Sequence, residues 1–256
     1  MSRVIAFDGI RNFRHFGAYD TRDGRKVRRG LYRSGHFARA SQEDLARLNE
    51  MKLTLVTDLR RPLERDREPS RWDDVLNPRV LASNIAGHAE PPHMAFLREG
   101  DLSASGIRDF MMATYRRLPT DPGNKQAFAA GLRALADHGE DESFVVHCAA
   151  GKDRTGIFCA MALELAGVDR DTVIEDYLMT NTAVDYDRLV PEVAANIADR
   201  TGRAVEEDSM RIFLGVDGDY LNEAFGELGS AEAYMSNELG QTDDESARLR
   251  TALVRG

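Results

Sequence analysis

Apolar positions along the chain form short continuous runs in some places and helical repeats in others. Runs at 53–57 and 144–146 have the length and composition of buried parallel strands, and 31–34 predicts another short strand. Apolar residues at helical spacing predict helices at 41–51, 109–118 and 125–138, and again from 157 onward. We therefore predict an α/β fold with a parallel central sheet flanked by helices and a helical C-terminal part.

Two polar stretches and one long amphipathic stretch complete the pattern. Residues 61–78 and 87–106 are rich in charge, proline, glycine or serine, and both predict loops. Residues 184–215 are amphipathic and predict further helix. Since no internal repeat, low-complexity tract or linker divides the chain, we predict one domain over residues 1–256.

The segment that links the strand at 144–146 to the next helix has the features of an anion site. It reads Ser-Phe-Val-Val-His-Cys-Ala-Ala-Gly-Lys-Asp-Arg-Thr-Gly over residues 143–156. A strand, a glycine-containing loop and a helix in this order aim successive backbone N–H groups and the positive end of the helix dipole at one point. The amides of the loop, which belong to Ala149, Ala150, Gly151 and Lys152, are the expected phosphate ligands. The side chain of Lys152 is expected to add a second cation to the site.

Reactive side chains stand at both ends of this loop. Cys148 lies at its start, where the amides, the helix N-terminus and Arg154 all favour the thiolate, which is the nucleophilic form of cysteine. Arg154 can bind two phosphate oxygens at once through its planar guanidinium group. The hydroxyl of Thr155 can donate a hydrogen bond to the thiolate when it leaves. The spacing thus predicts covalent phosphoryl transfer that needs no metal and no other cofactor.

The spacing Cys-x5-Arg-Thr resembles the signature of cysteine-dependent phosphatases. The full string His-Cys-Ala-Ala-Gly-Lys-Asp-Arg-Thr-Gly is similar to that of the atypical bacterial protein-tyrosine phosphatases of the mycobacterial type, whose loop also resembles that of phosphoinositide phosphatases. The strings Asn-Phe-Arg at 12–14, Leu-Tyr-Arg-Ser-Gly at 31–35 and Asp-Leu-Arg at 58–60 carry the same resemblance. It implies a cysteine-phosphatase fold and hydrolysis of phosphotyrosine, with phosphoserine, phosphothreonine and phosphoinositides as further substrates.

Cleavage of a phosphoester requires a proton donor for the leaving oxygen, and two aspartates are candidates. Asp153 lies inside the loop, and myotubularin-type phosphoinositide phosphatases, which the loop resembles, are thought to use a loop aspartate in this way. Asp58 ends a predicted strand, where open α/β sheets bind ligands, and is the second choice. Arg60 is the expected contact to substrate from the same strand end. The resemblance also implies that the helices within 184–215 form a lid over the site.

Composition restricts the partners. The net charge of −9 argues against nucleic acid, although residues 1–80 carry 18 Lys/Arg and 12 Asp/Glu, a local excess that suits an anionic substrate. Two cysteines are too few for a disulfide framework or a cysteine metal site, and no apolar run is long enough for stable membrane insertion. We expect a cytoplasmic protein, with secretion without a recognisable signal as the alternative. The oligomeric state is left open.

Three functions are compatible with these sequence features. The first is a cysteine-dependent phosphatase for phosphotyrosine, and the second is a phosphoinositide phosphatase that uses the same residues. The third is a phosphate-binding module without turnover, which the presence of both Cys148 and Arg154 disfavours.

Overall fold

A mixed five-stranded sheet forms the centre of the protein. The computed structural model describes residues 2–72, 76–87 and 91–255. Its strands are β1 (Arg14–His15), β2 (Lys26–Val27), β3 (Leu31–Ser34), β4 (Leu53–Asp58), β5 (Arg79–Ala82), β6 (Ser143–His147) and β7 (Val254–Arg255). The order in the central sheet is β1-β3-β6-β4-β5, with only β1 antiparallel, and β2 pairs with β7 separately. The predicted α/β class is confirmed.

Helices cover both faces of the sheet and make up the C-terminal part. They are α1 (Gln42–Glu50), α2 (Pro62–Arg67), α3 (Pro92–Glu99), α4 (Ala104–Arg117), α5 (Pro122–Ala136), α6 (Asp153–Leu165), α7 (Arg170–Leu178), α8 (Thr180–Ala183), α9 (Tyr186–Thr201), α10 (Glu207–Leu214), α11 (Gly218–Leu228), α12 (Ala231–Asn237) and α13 (Asp243–Leu253). Among the described residues, no helix is long and apolar enough to span a membrane.

Alternation along the central strands separates two cores. Phe144 and Val146 of β6 face the larger core, which is shared with α4 to α7 and with the C-terminal helices, whereas Val145 faces a smaller core with α1. A third cluster joins α9 and α10 to α3 through Leu97, Val190 and other apolar residues. The helices of residues 184–215 therefore pack on α3 through this small cluster, and Ile212 and Phe213 of α10 also pack against the larger core.

Local signals placed several elements correctly. The helix predicted after Ser41 is α1, and the Ser41 hydroxyl accepts a hydrogen bond from the Asp44 amide while the Asp44 carboxylate accepts one from the Ser41 amide. The two predicted loops were wrong in part, because residues 61–78 contain α2 and residues 87–106 contain α3 and the start of α4. Residues 73–75 and 88–90 of those stretches lie outside the described residues.

The parallel register brings three strand ends together. Residue His147 of β6 is opposite Ser34 of β3 on one side and Asp58 of β4 on the other. The chain leaves β6 directly into Cys148, so the residues that follow β3 and β4 surround the loop. This edge of the sheet is where the topology predicts a site.

Candidate active site

The loop from Cys148 to Lys152 is held by its carbonyl groups. The Ala149 carbonyl accepts from the His36 amide at 3.2 Å, and the Ala150 and Gly151 carbonyls accept from Asn12 Nδ2 at 3.2 and 3.0 Å. Within the part of the chain that the structure describes, the amides of residues 149–152 have no hydrogen-bond acceptor. Because its carbonyls are hydrogen-bonded on the outside and its amides are unbonded, this loop is a preformed site for an anion at the N-terminus of α6.

Gly151 is required by the close approach of the loop to β3. Its φ is +71°, a left-handed conformation that side chains disfavour. A Cβ atom at this position would lie 2.3 Å from the carbonyl carbon and oxygen of Ser34. Glycine thus allows the loop to pack directly on the end of β3.

A buried ion pair supports the loop from below. Arg33 Nη1 donates to Asp176 Oδ2 at 2.8 Å, and Arg33 Nη2 donates to the carbonyls of Gly151 and Lys152 at 3.2 and 3.4 Å. Both charged groups are almost completely buried, so each depends on the other for compensation. The Asp176 carboxylate also accepts from Tyr19 Oη at 3.0 Å. The pair connects β3 and α7 to the loop backbone.

Arg14 belongs to the same buried network. It donates to the side chain of Asn12, to Thr180 Oγ1 at 2.9 Å and to the Asp176 carbonyl at 3.2 Å. Burial and the charge of Arg33 lower the pKa of Arg14 to about 9. The Asn-Phe-Arg and Leu-Tyr-Arg-Ser-Gly strings thus meet under one loop, which lies 139 positions after Asn12 and 118 positions after Arg33 at Gly151.

Arg154 is fixed by a residue that the sequence did not single out. Its Nη1 and Nη2 donate to the two carboxylate oxygens of Glu64 at 2.7 and 2.8 Å, and Nη1 also donates to the Leu59 carbonyl at 2.9 Å. Burial would raise the pKa of Glu64, but the ion pair with Arg154 lowers it to about 2. The Nε–H and one Nη2–H of Arg154 have no acceptor among the described residues, so one bidentate edge is left for phosphate oxygens.

Loss of the Glu64 charge is expected to weaken the ion pair that orients the guanidinium group of Arg154. For Glu64→Gln we expect kcat/KM on a phosphotyrosine peptide to fall about 10- to 100-fold, because a misaligned guanidinium group no longer matches the transition state. Steady-state kinetics measures this, with Asp66→Asn as the control, since Asp66 lies on the same helix and is exposed. Equal activities of the two variants would contradict the role of Glu64.

Asp153 begins α6 at the mouth of the loop. Tyr115 Oη donates to Asp153 Oδ1 at 2.7 Å, and Tyr177 Oη donates to Tyr115 Oη at 2.6 Å. The Asp153 side chain remains 24% exposed. This carboxylate is therefore oriented by a buried tyrosine and still accessible to a bound substrate.

Lys152 does not have the role expected from the sequence. Its Nζ is mostly buried and donates to the carbonyls of Phe213 and Gly215 at 2.7 and 3.1 Å, at the C-terminal end of α10. The side chain thus contacts the carbonyls that end a helix, which favour a cation, and it leaves only its backbone amide for the phosphate. It also joins the loop to residues 184–215, whose role as a lid stays a prediction.

Asp58 and Arg60 form a closed ion pair rather than a substrate contact. The Asp58 carboxylate accepts from Arg60 Nε at 2.9 Å and from Nη2 at 2.7 Å, and Arg60 Nη1 donates to the Glu68 carbonyl. Both residues are 2% exposed. Burial would raise the pKa of Asp58, but His147 and Arg60 hold it below its ordinary value. Since all three nitrogens of Arg60 are engaged, the predicted contact between Arg60 and substrate is wrong. Asp58 is buried and ionised, so it lacks the accessible proton of a general acid.

The remaining predicted residues lie at the base of the loop. Cys148 is 2% exposed and directly follows β6. The hydroxyl of Thr155 is buried and has no hydrogen-bond partner among the described residues, so its bond to the Cys148 sulfur stays a prediction. Cys159, inside α6, is also fully buried, and burial raises the pKa of its thiol to about 12.

His147 makes stability depend on pH. Burial lowers the pKa of this histidine to about 4, whereas an unfolded histidine has a pKa near 6.5. Between these values the unfolded chain binds a proton that the folded chain does not, so this contribution is complete above about pH 6.5 and is lost as the pH falls toward about 4. We expect His147 alone to lower the free energy of unfolding by about 2–3 kcal/mol across this window. Denaturant melts should show a smaller fall for His147→Asn, and an equal fall would contradict this origin.

The residues that sequence reasoning missed are Asn12, Arg33, Glu64 and Asp176. Asn12 and Arg33 lie in strings that carried the family resemblance, but nothing in the strings indicated which side chains reach the loop. A signal for Glu64 was available. A proline at the first helical position with a glutamate two positions later is typical of a helix start, and it predicts Glu64 in the first turn of α2.

Comparisons with known proteins agree with this geometry. A family model described as "Tyrosine phosphatase family" matches residues 5–255. The chain is 32% identical over 261 residues to a protein of Cupriavidus necator assigned as a tyrosine-protein phosphatase, covering 98% of this chain and 89% of that protein. It is 31% identical over 239 residues to the triple specificity protein phosphatase PtpB of Mycobacterium tuberculosis, covering 78% of this chain and 83% of PtpB. A tyrosine-protein phosphatase of Nostoc commune is 29% identical over 119 residues, 44% of this chain and 40% of that protein.

Proposed function

The chain belongs to the tyrosine phosphatase family and is a phosphatase, and we propose that it hydrolyses phosphotyrosine through a phosphocysteine on Cys148. One observation carries the proposal. The cysteine lies at the base of a loop in which the carbonyls of residues 149–152 are held from outside, while the amides of the same residues and one edge of Arg154 have no partner among the described residues. Such a site can bind three phosphate oxygens and leave the phosphorus in line with a sulfur nucleophile.

The first step transfers the phosphoryl group to the enzyme. The Cys148 thiolate attacks phosphorus and forms the S–P bond while the bond from phosphorus to the tyrosine oxygen breaks. Asp153 gives its proton to that leaving oxygen, so a neutral phenol departs. The loop amides and Arg154 stabilise the charge on the phosphoryl oxygens in the transition state.

The second step returns the enzyme to its starting form. Asp153, now ionised, accepts a proton from a water molecule, and the water oxygen attacks phosphorus as the S–P bond breaks. The Cys148 thiolate leaves, and the Thr155 hydroxyl donates a hydrogen bond to it. Asp153 is favoured over Asp58 in both steps, because it is partly exposed and oriented by Tyr115, whereas Asp58 is enclosed by Arg60.

The proposal includes phosphoserine and phosphothreonine as slower substrates. It is supported by the name of the mycobacterial relative, which describes a phosphatase of triple specificity. We also keep the prediction of a cytoplasmic protein, to be tested by cell fractionation; recovery in the culture medium of intact cells would contradict it.

The experiment is phosphate release from three matched substrates without added metal. These are a phosphotyrosine peptide, the same peptide with phosphoserine, and a short-chain phosphoinositide. We expect the phosphotyrosine peptide to have the highest kcat/KM. Preference for the phosphoinositide would replace the proposed substrate, and binding of inorganic phosphate with no release from any substrate would make the chain a binding module.

A further inference from the structure

The two oxygens of the Asp153 carboxylate have different surroundings. Oδ1 accepts a hydrogen bond from Tyr115 Oη at 2.7 Å and lies 3.5 Å from Lys152 Nζ. The second distance is longer than a normal N–H···O hydrogen bond, and the Lys152 ammonium group already donates to the carbonyls of Phe213 and Gly215. Within the part of the chain that the structure describes, Oδ2 has no hydrogen-bond donor. The hydrogen bond that orients this carboxylate therefore comes from Tyr115.

The hydroxyl of Tyr115 can donate in one direction only. Its oxygen accepts a hydrogen bond from Tyr177 Oη at 2.6 Å, and its single proton is directed at Asp153. Both tyrosines are almost completely buried, and burial raises the pKa of each hydroxyl well above its ordinary value. Both hydroxyls therefore stay protonated near neutral pH and act as hydrogen-bond donors.

Packing fixes the positions of the two tyrosines. Tyr115 lies on α4 and Tyr177 on α7, so the hydrogen-bonded chain joins two helices to the first turn of α6. A Cβ atom at Gly156 would lie 2.8 Å from two ring carbons of Tyr177, so this ring packs directly against the backbone of that turn. The ring of Tyr220 on α11 packs on Tyr115, with the two ring centroids 5.5 Å apart. The core of the protein thus holds both hydroxyls in place.

We propose that Tyr115 is a positioning residue, which determines that the acid proton of Asp153 lies on Oδ2, and that Tyr177 orients Tyr115. The proposal rests on the proposed function and deepens it. A neutral carboxyl group has one O–H. Because Oδ1 faces the Tyr115 proton and the Lys152 ammonium group, the carboxyl proton belongs on Oδ2.

The two reaction steps then use the two oxygens differently. As the bond from phosphorus to the tyrosine oxygen of the substrate breaks, the proton passes from Oδ2 of Asp153 to that oxygen. The negative charge that remains on the carboxylate is stabilised at Oδ1 by the Tyr115 hydroxyl. In the second step, Oδ2 accepts the proton of the attacking water molecule. The torsion about the Cβ–Cγ bond of an aspartate is broad, so without Tyr115 the side chain itself would not fix the direction of Oδ2.

The test measures kcat and KM of Tyr115→Phe on a phosphotyrosine peptide and on para-nitrophenyl phosphate, whose leaving group needs no proton. We expect kcat on the peptide to fall about tenfold or more, because the proton is no longer directed at the leaving oxygen. KM for the peptide and kcat on para-nitrophenyl phosphate should change less than about twofold, since phosphate binding and nucleophilic attack do not involve Tyr115. The control is Tyr234→Phe, which removes another buried hydroxyl, one that donates to the Pro119 carbonyl, and both activities should equal those of wild type.

A double-mutant cycle tests whether Tyr115 acts through Asp153. In the Asp153→Asn background the acid proton is already absent, so Tyr115→Phe should lower kcat on the peptide no further. Losses that multiply would overturn the proposal, because Tyr115 would then act independently of Asp153.

A second pair of variants separates positioning from stability. Tyr115→Phe leaves the Tyr177 hydroxyl buried without its acceptor, which destabilises the fold. Tyr115→Phe/Tyr177→Phe removes both hydroxyls, so it should unfold at a higher denaturant concentration than the single variant and keep the same loss of kcat on the peptide. Recovery of kcat in the double variant would assign the loss to the orphaned hydroxyl and overturn the proposal.

The outcomes distinguish this proposal from the proposed function. If Asp153→Asn shows the expected dependence on the leaving group and Tyr115→Phe loses nothing, or loses equally on both substrates, Tyr115 does not position the acid and the proposed function stands. If Asp153→Asn shows no dependence on the leaving group, Asp153 is not the acid and this proposal is wrong with it. If wild type does not hydrolyse the peptide, the proposed function itself is wrong.

Discussion

Cys148→Ser is expected to abolish turnover, with a fall in kcat of about 10⁴-fold or more. The serine hydroxyl stays protonated near neutral pH and is a far weaker nucleophile than a thiolate, so the S–P bond has no counterpart in the variant. Phosphate release from a phosphotyrosine peptide measures the loss. Acid-quenched wild type should also carry one phosphoryl group by intact-mass measurement, and the variant should carry none.

Cys159→Ser is the matched control for that experiment. Cys159 is fully buried within α6, and burial raises the pKa of its thiol to about 12, so it is unsuited to act as a nucleophile. Its replacement should leave a phosphoenzyme that can be trapped on Cys148. Turnover by Cys148→Ser within tenfold of wild type would refute the covalent mechanism.

Asp153→Asn is expected to lower kcat on a phosphotyrosine peptide by about 10²- to 10³-fold, because the variant cannot protonate the leaving oxygen. The loss should be much smaller for an activated aryl phosphate, whose leaving group is stable without a proton. The measurement is kcat for the two substrates, together with the pH dependence of kcat/KM, whose basic limb should disappear in the variant.

Asp58→Asn provides the contrast. This change leaves Arg60 buried beside a neutral partner, and breaking such a pair typically costs about 3–5 kcal/mol of stability. We therefore expect a lower unfolding midpoint but no dependence of the effect on the leaving group. If the leaving-group dependence appears in Asp58→Asn and not in Asp153→Asn, the assignment of the general acid must be reversed.

The sequence was sufficient for the elements whose signals are local. The apolar run of β6, the glycine-containing loop and the start of α6 are read within fifteen residues, and α1 follows from the Ser41 and Asp44 capping pattern. The reactive pair Cys148 and Arg154 belongs to the same group, since six positions along one loop determine its separation. Fold class and family therefore followed from short stretches of chain.

The partners of charged side chains were decided only by the tertiary structure. Arg154 and Glu64 are 90 positions apart, and Arg33 and Asp176 are 143 apart. Lys152 and Arg60 have the residue type expected of phosphate ligands, yet one binds the end of α10 and the other binds Asp58. Backbone conformation depends mainly on near neighbours in sequence, whereas the packing of distant elements determines which opposite charge a buried cation meets.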